Sequence, residues 1–472
     1  MNWNKSQPED DNQHDNEQGA CVKRYKEMLD KKESYFFDTE ELLEIYDYYF
    51  HELDYAKALE VCLYAQEMHP GAHTFELKRA AALFKLGKEA QAMDIINNFE
   101  ALWPDEHELH LLKAHIFLNR ENPLGAIESF KKALINAEEK APIYHDLAFA
   151  SADTGDCEQA VRYMKLYISS GTNDYFLSQQ FVIWLAATLK LDEGILFFEK
   201  ILDEDPYNLD AWIAKGLIYK ELEDYTAAID AYSYPIAVEE NNIAALGETA
   251  DCYFALDQYK DALLYYERAA NINPDNPIYW YHIGECFEWM GDHNAAKMNY
   301  QRCIKLNQNF PAAWYSMGMV LSLNFKWFEA SHYYKKAVEL EPDNAEFWFA
   351  LGDCQSNLNH YKEACECYEN VIGLDPAHEI IWLEYSILLY ENNEPERALE
   401  VISEGIKYFP DNADFQYQCC GMLYENGYLK ESYQMLEFAL SNDFETHTQL
   451  FEIIPGIKSD KNIMTIIEQY RK

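Results

Sequence analysis

The sequence predicts an all-α solenoid, and three observations carry that reading: a 34-residue period, small residues fixed at one position of it, and apolar residues spaced for two helices per unit. Pro311 to Asn344 reads PAAWYSMGMVLSLNFKWFEASHYYKKAVELEPDN. The blocks on either side, PIYWYHIGECFEWMGDHNAAKMNYQRCIKLNQNF and AEFWFALGDCQSNLNHYKEACECYENVIGLDPAH, lie over it with Trp, Gly, Ala and Tyr at shared offsets. Counted from one to 34, offset 4 usually holds a large residue, offset 8 a small one, offset 20 alanine, offset 24 an aromatic and offset 32 often proline. Offsets 4, 7, 8 and 11 make one face of a first helix, and offsets 20, 24 and 27 the facing side of a second. Small residues at 8 and 20 let the two axes approach closely, and bulky ones fill the space around that contact.

Twelve units follow in unbroken register, beginning at 39, 73, 107, 141, 175, 209, 243, 277, 311, 345, 379 and 413. Offset 20 is Ala58, Ala92, Ala126, Ala160, Gly194, Ala228, Ala262, Ala296, Ala330, Ala364, Ala398 and Ser432, small without exception. In the unit from Ile243 the residues Leu246, Thr249, Ala250, Tyr253, Ala262, Tyr266, Ala269 and Pro274 stand where W-x2-L-G-x2-Y…A…F/Y…A…P is found. The sequence thus resembles the tetratricopeptide repeat, and overall the long bacterial arrays of that family. The resemblance implies a right-handed superhelix of helix-turn-helix units that binds protein partners, without saying which.

The unbroken period expects one elongated array over 39–446 rather than several globular domains, flanked by a disordered acidic tail at 1–20, a capping helix at 21–38 and a C-terminal cap at 447–472. A net charge of −44 disfavours nucleic acid and anionic membranes, and favours basic partners. The start, MNWNKSQPEDDNQHDNEQGA, has no apolar core of a signal peptide, and no run is long enough to span a membrane. Eleven cysteines scattered over helical positions point to free thiols and a reducing, cytoplasmic setting.

Taken in order, Val22, Tyr25, Met28 and Leu29 form an apolar stripe suited to covering the first repeat, and Asp38 with Glu41 resembles a capping box. Pro123 and Pro395 at offset 17 mark the start of a second helix, where a missing N–H costs nothing. Proline at offset 32 stops that helix and sets the turn to the next unit. Pro235 sits inside a second helix, at offset 27, and is expected to kink or shorten it. At the end, Asp460 is an N-cap, and Ile463, Ile466, Ile467 and Tyr470 make a terminal amphipathic helix. Two helices per unit plus the ends give 26 or 27.

The family resemblance implies that offsets 2, 5, 9 and 12 of the first helices face the concave surface. At offset 5, Tyr281, Tyr315, Phe349, Leu383 and Tyr417 form an apolar, largely aromatic row. Asp251, Glu285 and Asp353 at offset 9 and Glu288 at offset 12 intersperse carboxylates with it. Aromatics beside carboxylates suit an extended segment carrying Lys or Arg, held by apolar contact, cation–π attraction and charge pairing. The offset-5 row would otherwise pack between neighbouring first helices. Offset 5 holds no Lys or Arg and offset 9 no Asn, so acidic chaperone tails are not the expected ligand.

Chemistry is not written in the sequence: there is no HExxH, Walker loop, GxGxxG, GxSxG or zinc-spaced cysteine pair. Cys365 and Cys367, like Cys419 and Cys420, read as buried thiols. The expectation is a non-catalytic interaction scaffold with no cofactor or metal and a basic or apolar partner; the alternative is a structural or self-assembling protein without a peptide groove.

Overall fold

The computed structural model describes residues 11–171 and 174–471, with side chains from Gly19 onward. The chain forms two compact units, Met1–Tyr234 and Pro235–Lys472. The first opens with α1 (Asp11–Lys31), followed by the pairs α2 (Thr39–His51) and α3 (Tyr55–Met68), α4 (Thr74–Lys85) and α5 (Glu89–Glu100), and α6 (His107–Asn119) and α7 (Pro123–Asn136). It continues with α8 (Ala141–Asp153) and α9 (Cys157–Ile168), α10 (Tyr175–Ala187) and α11 (Leu191–Glu204), then α12 (Leu209–Glu221) and α13 (Tyr225–Val238). The second unit holds α14 (Ile243–Ala255) and α15 (Tyr259–Ile272), α16 (Pro277–Trp289) and α17 (His293–Leu306), and α18 (Pro311–Leu323) and α19 (Trp327–Leu340). It ends with α20 (Ala345–Asn357) and α21 (Tyr361–Leu374), α22 (Glu379–Glu391) and α23 (Pro395–Tyr408), α24 (Ala413–Glu425) and α25 (Leu429–Asn442), α26 (Gln449–Ile453) and α27 (Lys461–Tyr470). That is 27 helices and no strand among the described residues. Within each unit, successive helices pack in chain order, an all-α solenoid.

The register is local chemistry repeated. First helices start at the predicted positions, α4 alone one residue late, and second helices start at offset 17. Asn208, Asn242, Asn276, Asn344 and Asn412, all at offset 34, accept from first-turn N–H groups of the helix that follows, the usual N-cap bond. Asp38 and Glu41 form the reciprocal capping box. Between the helices of each pair the backbone turns through a left-handed residue at offset 15. Glycine fills it at Gly87, Gly155, Gly291 and Gly427, while Leu189 and Phe325 carry large side chains there at φ of 55° and 57°.

The offset-20 residues are buried, and Gly194 is glycine for a reason: a Cβ there would lie 2.6 Å from Leu185 Cδ1. The offset-4 tryptophans do more than fill space. Each indole N–H donates to the backbone carbonyl at offset 32 of the preceding unit: Trp212 to Pro206 (3.0 Å), Trp280 to Pro274 (2.9 Å), Trp314 to Gln308 (2.9 Å), Trp348 to Pro342 (2.8 Å) and Trp382 to Pro376 (3.0 Å). The ring, half-buried in four of the five and buried at Trp382, and its satisfied N–H together fix the turn between units.

At the ends, Cys21, Val22, Tyr25 and Met28 of α1 are buried against α2 and α3, whereas Leu29 is exposed and drops out of the predicted stripe. Of the acidic segment 1–20, residues 1–10 lie outside the described residues, and 11–20 form the first turns of α1. Asp460 caps α27, and Ile463 and Ile467 are buried in a cluster with Tyr417, Leu436 and Leu440 of the last repeat. Of the kink or shortening expected at Pro235, helix α13 shows no shortening: it runs over 14 residues, as most second helices do, and the division between the two units falls at this proline.

Candidate functional site

Along α14, α16, α18 and α20 the positions selected from the sequence share one helix face, and the structure explains why acids stand there. Tyrosines at offset 24 of the paired second helices are buried, and each hydroxyl needs an acceptor. Tyr266 donates to Asp251 Oδ1 (2.6 Å), Tyr300 to Glu288 Oε2 (2.5 Å) and Tyr368 to Asp353 Oδ1 (2.7 Å). In the intervening repeat Tyr334 Oη meets Ser322 Oγ at 3.1 Å. Glu285 instead takes His282 Nδ1 at 2.7 Å. The carboxylates are therefore structural acceptors as well as surface charge.

Burial holds Glu288 above the ordinary carboxylate range, partly offset by the Tyr300 hydroxyl and reinforced by the neighbouring Glu285. It holds Asp353 up in the same way, with Tyr368 offsetting it and Glu346 adding repulsion. In both, desolvation disfavours the charged form.

The aromatic row divides. Tyr281, Tyr315, Phe349 and Leu383 are half-buried. Tyr281 lies against Phe310 (5.1 Å between ring centres) and Tyr300 (5.7 Å), Tyr315 stacks on Phe347 (4.9 Å), and Phe349 sits between His378 (4.8 Å) and Tyr368 (6.3 Å). One side of each ring thus packs towards the next repeat, and part of it stays accessible. Tyr417 is a correction: it is 0% exposed and donates its hydroxyl to Asp443 O (2.6 Å), because the C-terminal segment folds over this repeat. It belongs to the core and presents nothing to a ligand.

Tyr315, Phe349 and Asp353 come together around a cavity of about 290 Å³ between α18, α19 and α20. Sequence reasoning missed Trp327, Tyr334 and Glu346 in its wall. Glu346 stands at offset 2, an inward position by the family resemblance, while Trp327 and Tyr334 are contributed by the second helix, outside the inward offsets of the first. A second cavity of about 390 Å³, in the first unit, is lined by His107, His115, Glu138, Glu139 and Asp146 among others. Among the described residues no cluster of His, Cys, Asp and Glu is arranged to hold a metal ion. The thiols form no disulfide and all but Cys157 are buried; burial pushes Cys286, Cys303 and Cys367 up to about 12, so they stay protonated at neutral pH. No described helix is long and apolar enough to cross a membrane.

Helix pairs stacked in register, with a face of half-buried aromatics and acids, define an α-solenoid of the interaction-scaffold kind. The chain carries tetratricopeptide repeats: three family models, each described as tetratricopeptide repeat, match residues 333–366, residues 243–276, and residues 209–233 with 278–310. Among solved structures it is similar to MamA (19% identity, 36% of this chain and 92% of that one, TM-score 0.34). It is also similar to YrrB, titled a TPR protein with an unusual peptide-binding site (20% identity, 39% and 95%, TM-score 0.34). A third is the APC/C hetero-tetramer Cut9-Hcn1 (14% identity, 98% and 95%, TM-score 0.38). No curated protein matches the chain.

Proposed function

We propose that this chain is a non-catalytic scaffold that holds a basic or apolar segment of a partner protein on the first-helix face of its second unit. The observation that carries the reading is the pairing of accessible apolar, largely aromatic surface at Tyr281, Tyr315, Phe349 and Leu383 with the half-buried acids Asp251, Glu285, Glu288 and Asp353. Burial already penalises the charge on Glu288 and Asp353, so a cation placed beside them recovers more than it would at an open surface. The charge of −44 supports attraction of a basic partner and works against nucleic acid and anionic lipid, while buried cysteines that form no disulfide support a reducing compartment such as the cytoplasm.

A peptide alternating Lys, Arg and Leu tests this, with binding kinetics measured at two salt concentrations. Truncating Tyr315→Ala should speed dissociation by about 5- to 30-fold, the loss of about 1–2 kcal/mol at an interface anchor. Asp353→Asn should mainly slow association and flatten its salt dependence. Unchanged kinetics in both variants, with helicity intact, would remove the binding face from this surface.

A further inference from the structure

We propose that the cavity between α18, α19 and α20 is a socket for one lysine side chain, taking a primary alkylammonium in preference to a guanidinium. This rests on the reading that the same face binds a basic segment, and names the side chain it selects. At about 290 Å³ the cavity is at the small end of ligand pockets, sized for a side chain rather than a whole molecule. Its walls include Tyr315, Trp327, Tyr334 and Phe349, its polar rim includes Glu346 and Asp353, and no Lys or Arg lines it.

The aromatic walls are held in place before any ligand arrives. Tyr315 and Tyr334 stand 5.8 Å apart at 53°, Tyr315 stacks on Phe347, and Phe349 is clamped between Tyr368 and His378. Rings fixed this way offer their faces to a cation at little entropic cost. Either Lys or Arg would use those faces, and Arg generally does so more often. The carboxylates decide between them.

Each acid has already committed one oxygen. Asp353 Oδ1 accepts from Tyr368, and Glu346 Oε1 accepts from Tyr315 at 3.0 Å. The less engaged oxygens are Asp353 Oδ2 and Glu346 Oε2, on two different carboxylates; the latter stands 3.8 Å from His378 Nε2, too long for a hydrogen bond and an ion pair only when that ring is protonated. A guanidinium binds best when its planar fork meets both oxygens of one carboxylate, and on each acid one of the two already shares its lone pairs with a tyrosine hydroxyl, which weakens a second bond there. An ammonium directs three N–H groups apart from a single point and can reach single oxygens on separate partners. The tyrosine hydroxyls that satisfy the fold thus also set the selectivity of the socket.

The test uses the full chain with two probes of equal length and charge, nona-lysine and nona-arginine, so that the attraction of the acidic surface as a whole cancels in the ratio of their affinities. Binding at fixed salt should favour nona-lysine by about 5-fold, on the scale of one ordinary net hydrogen bond gained or lost. In the double variant Glu346→Gln, Asp353→Asn, which keeps an acceptor for Tyr315 and Tyr368, the ratio should fall to near one. A ratio near one or below it in the native chain, with affinity still dependent on Tyr315, overturns the lysine socket and leaves the basic-segment face standing. A lysine preference that survives the double variant places selection elsewhere and also overturns it. Loss of both preference and Tyr315 dependence removes the two readings together.

Discussion

Repeats in the two units solve the same packing problem with different side chains. In the first unit Ala80 and Ala114 at offset 8 share buried clusters with Ile96 and Phe130 at offset 24, an alanine against an apolar side chain. In the second unit Gly284, Gly318 and Gly352 face Tyr300, Tyr334 and Tyr368, and a Cβ on those glycines would lie 2.5 to 2.7 Å from the tyrosine ring. The exchange begins in the last repeat of the first unit, where Gly216 faces Tyr232. Phe130 already sets a ring against an alanine, and Tyr266 shares a cluster with Ala250, so glycine brings the ring onto the helix backbone rather than making room for it; a tyrosine ring also brings a hydroxyl that must be satisfied. In two of these three second-unit repeats the acceptor is a carboxylate on the first helix, drawn into a half-buried position beside the aromatic row. The lesson is that a packing choice inside the repeat decides the electrostatics of the surface outside it.

The largest expected effect breaks the comparison at its centre. Gly284→Ala should destabilise the second unit by about 1–3 kcal/mol, since the Tyr300 ring has no free end to yield. Adding Tyr300→Ile, which copies the alanine–isoleucine pair of the first unit, should recover part of the loss. Urea denaturation combined with hydrogen exchange in α16 and α17 reads both; additive losses in the double variant would mean that the two positions do not share one space.

A smaller effect isolates the hydroxyl. Tyr368→Phe keeps the ring and leaves Asp353 without its donor, at a cost of about 1–2 kcal/mol, and should raise the Asp353 value further by removing the bond that favours its charged form. An equal stability for Tyr368→Phe and the native chain would show that the hydroxyl is incidental.

The smallest effect is a difference in pH response. Glu288 and Asp353 bind their protons more tightly in the folded state because of burial, so their penalty is full at neutral pH and is relieved as pH falls through their raised values. In the first unit Asp156 is held low by the Gln159 backbone N–H, and Glu100 by Lys113. Their contribution is present above the ordinary carboxylate values and is lost only below them, as pH falls through the lowered ones. Between neutral pH and about pH 5, hydrogen-exchange protection of α16–α20 should therefore rise relative to α6–α9. A relative fall would contradict the assigned burial of these acids.

The sequence by itself determined the repeat: period, helix boundaries, the small residues at offset 20 and the capping residues Asp38 and Asp460 all follow from local propensity and spacing, which act over one or two turns. It also placed the acids and aromatics of the candidate face on common offsets. The tertiary structure alone decided which of them remain accessible. Tyr417 has the same offset as Tyr315 and opposite burial, because a non-repeating C-terminal segment covers it, and no periodicity can announce a contact made by residues outside the period. Likewise Trp327 and Tyr334 join Glu346 and Phe349 around one cavity only when two repeats are stacked. Asp353 and Glu346 each spend one oxygen on a tyrosine from another helix. Spacing along a helix fixes which way a side chain points; how much of it water can still reach depends on the neighbours that packing brings against it.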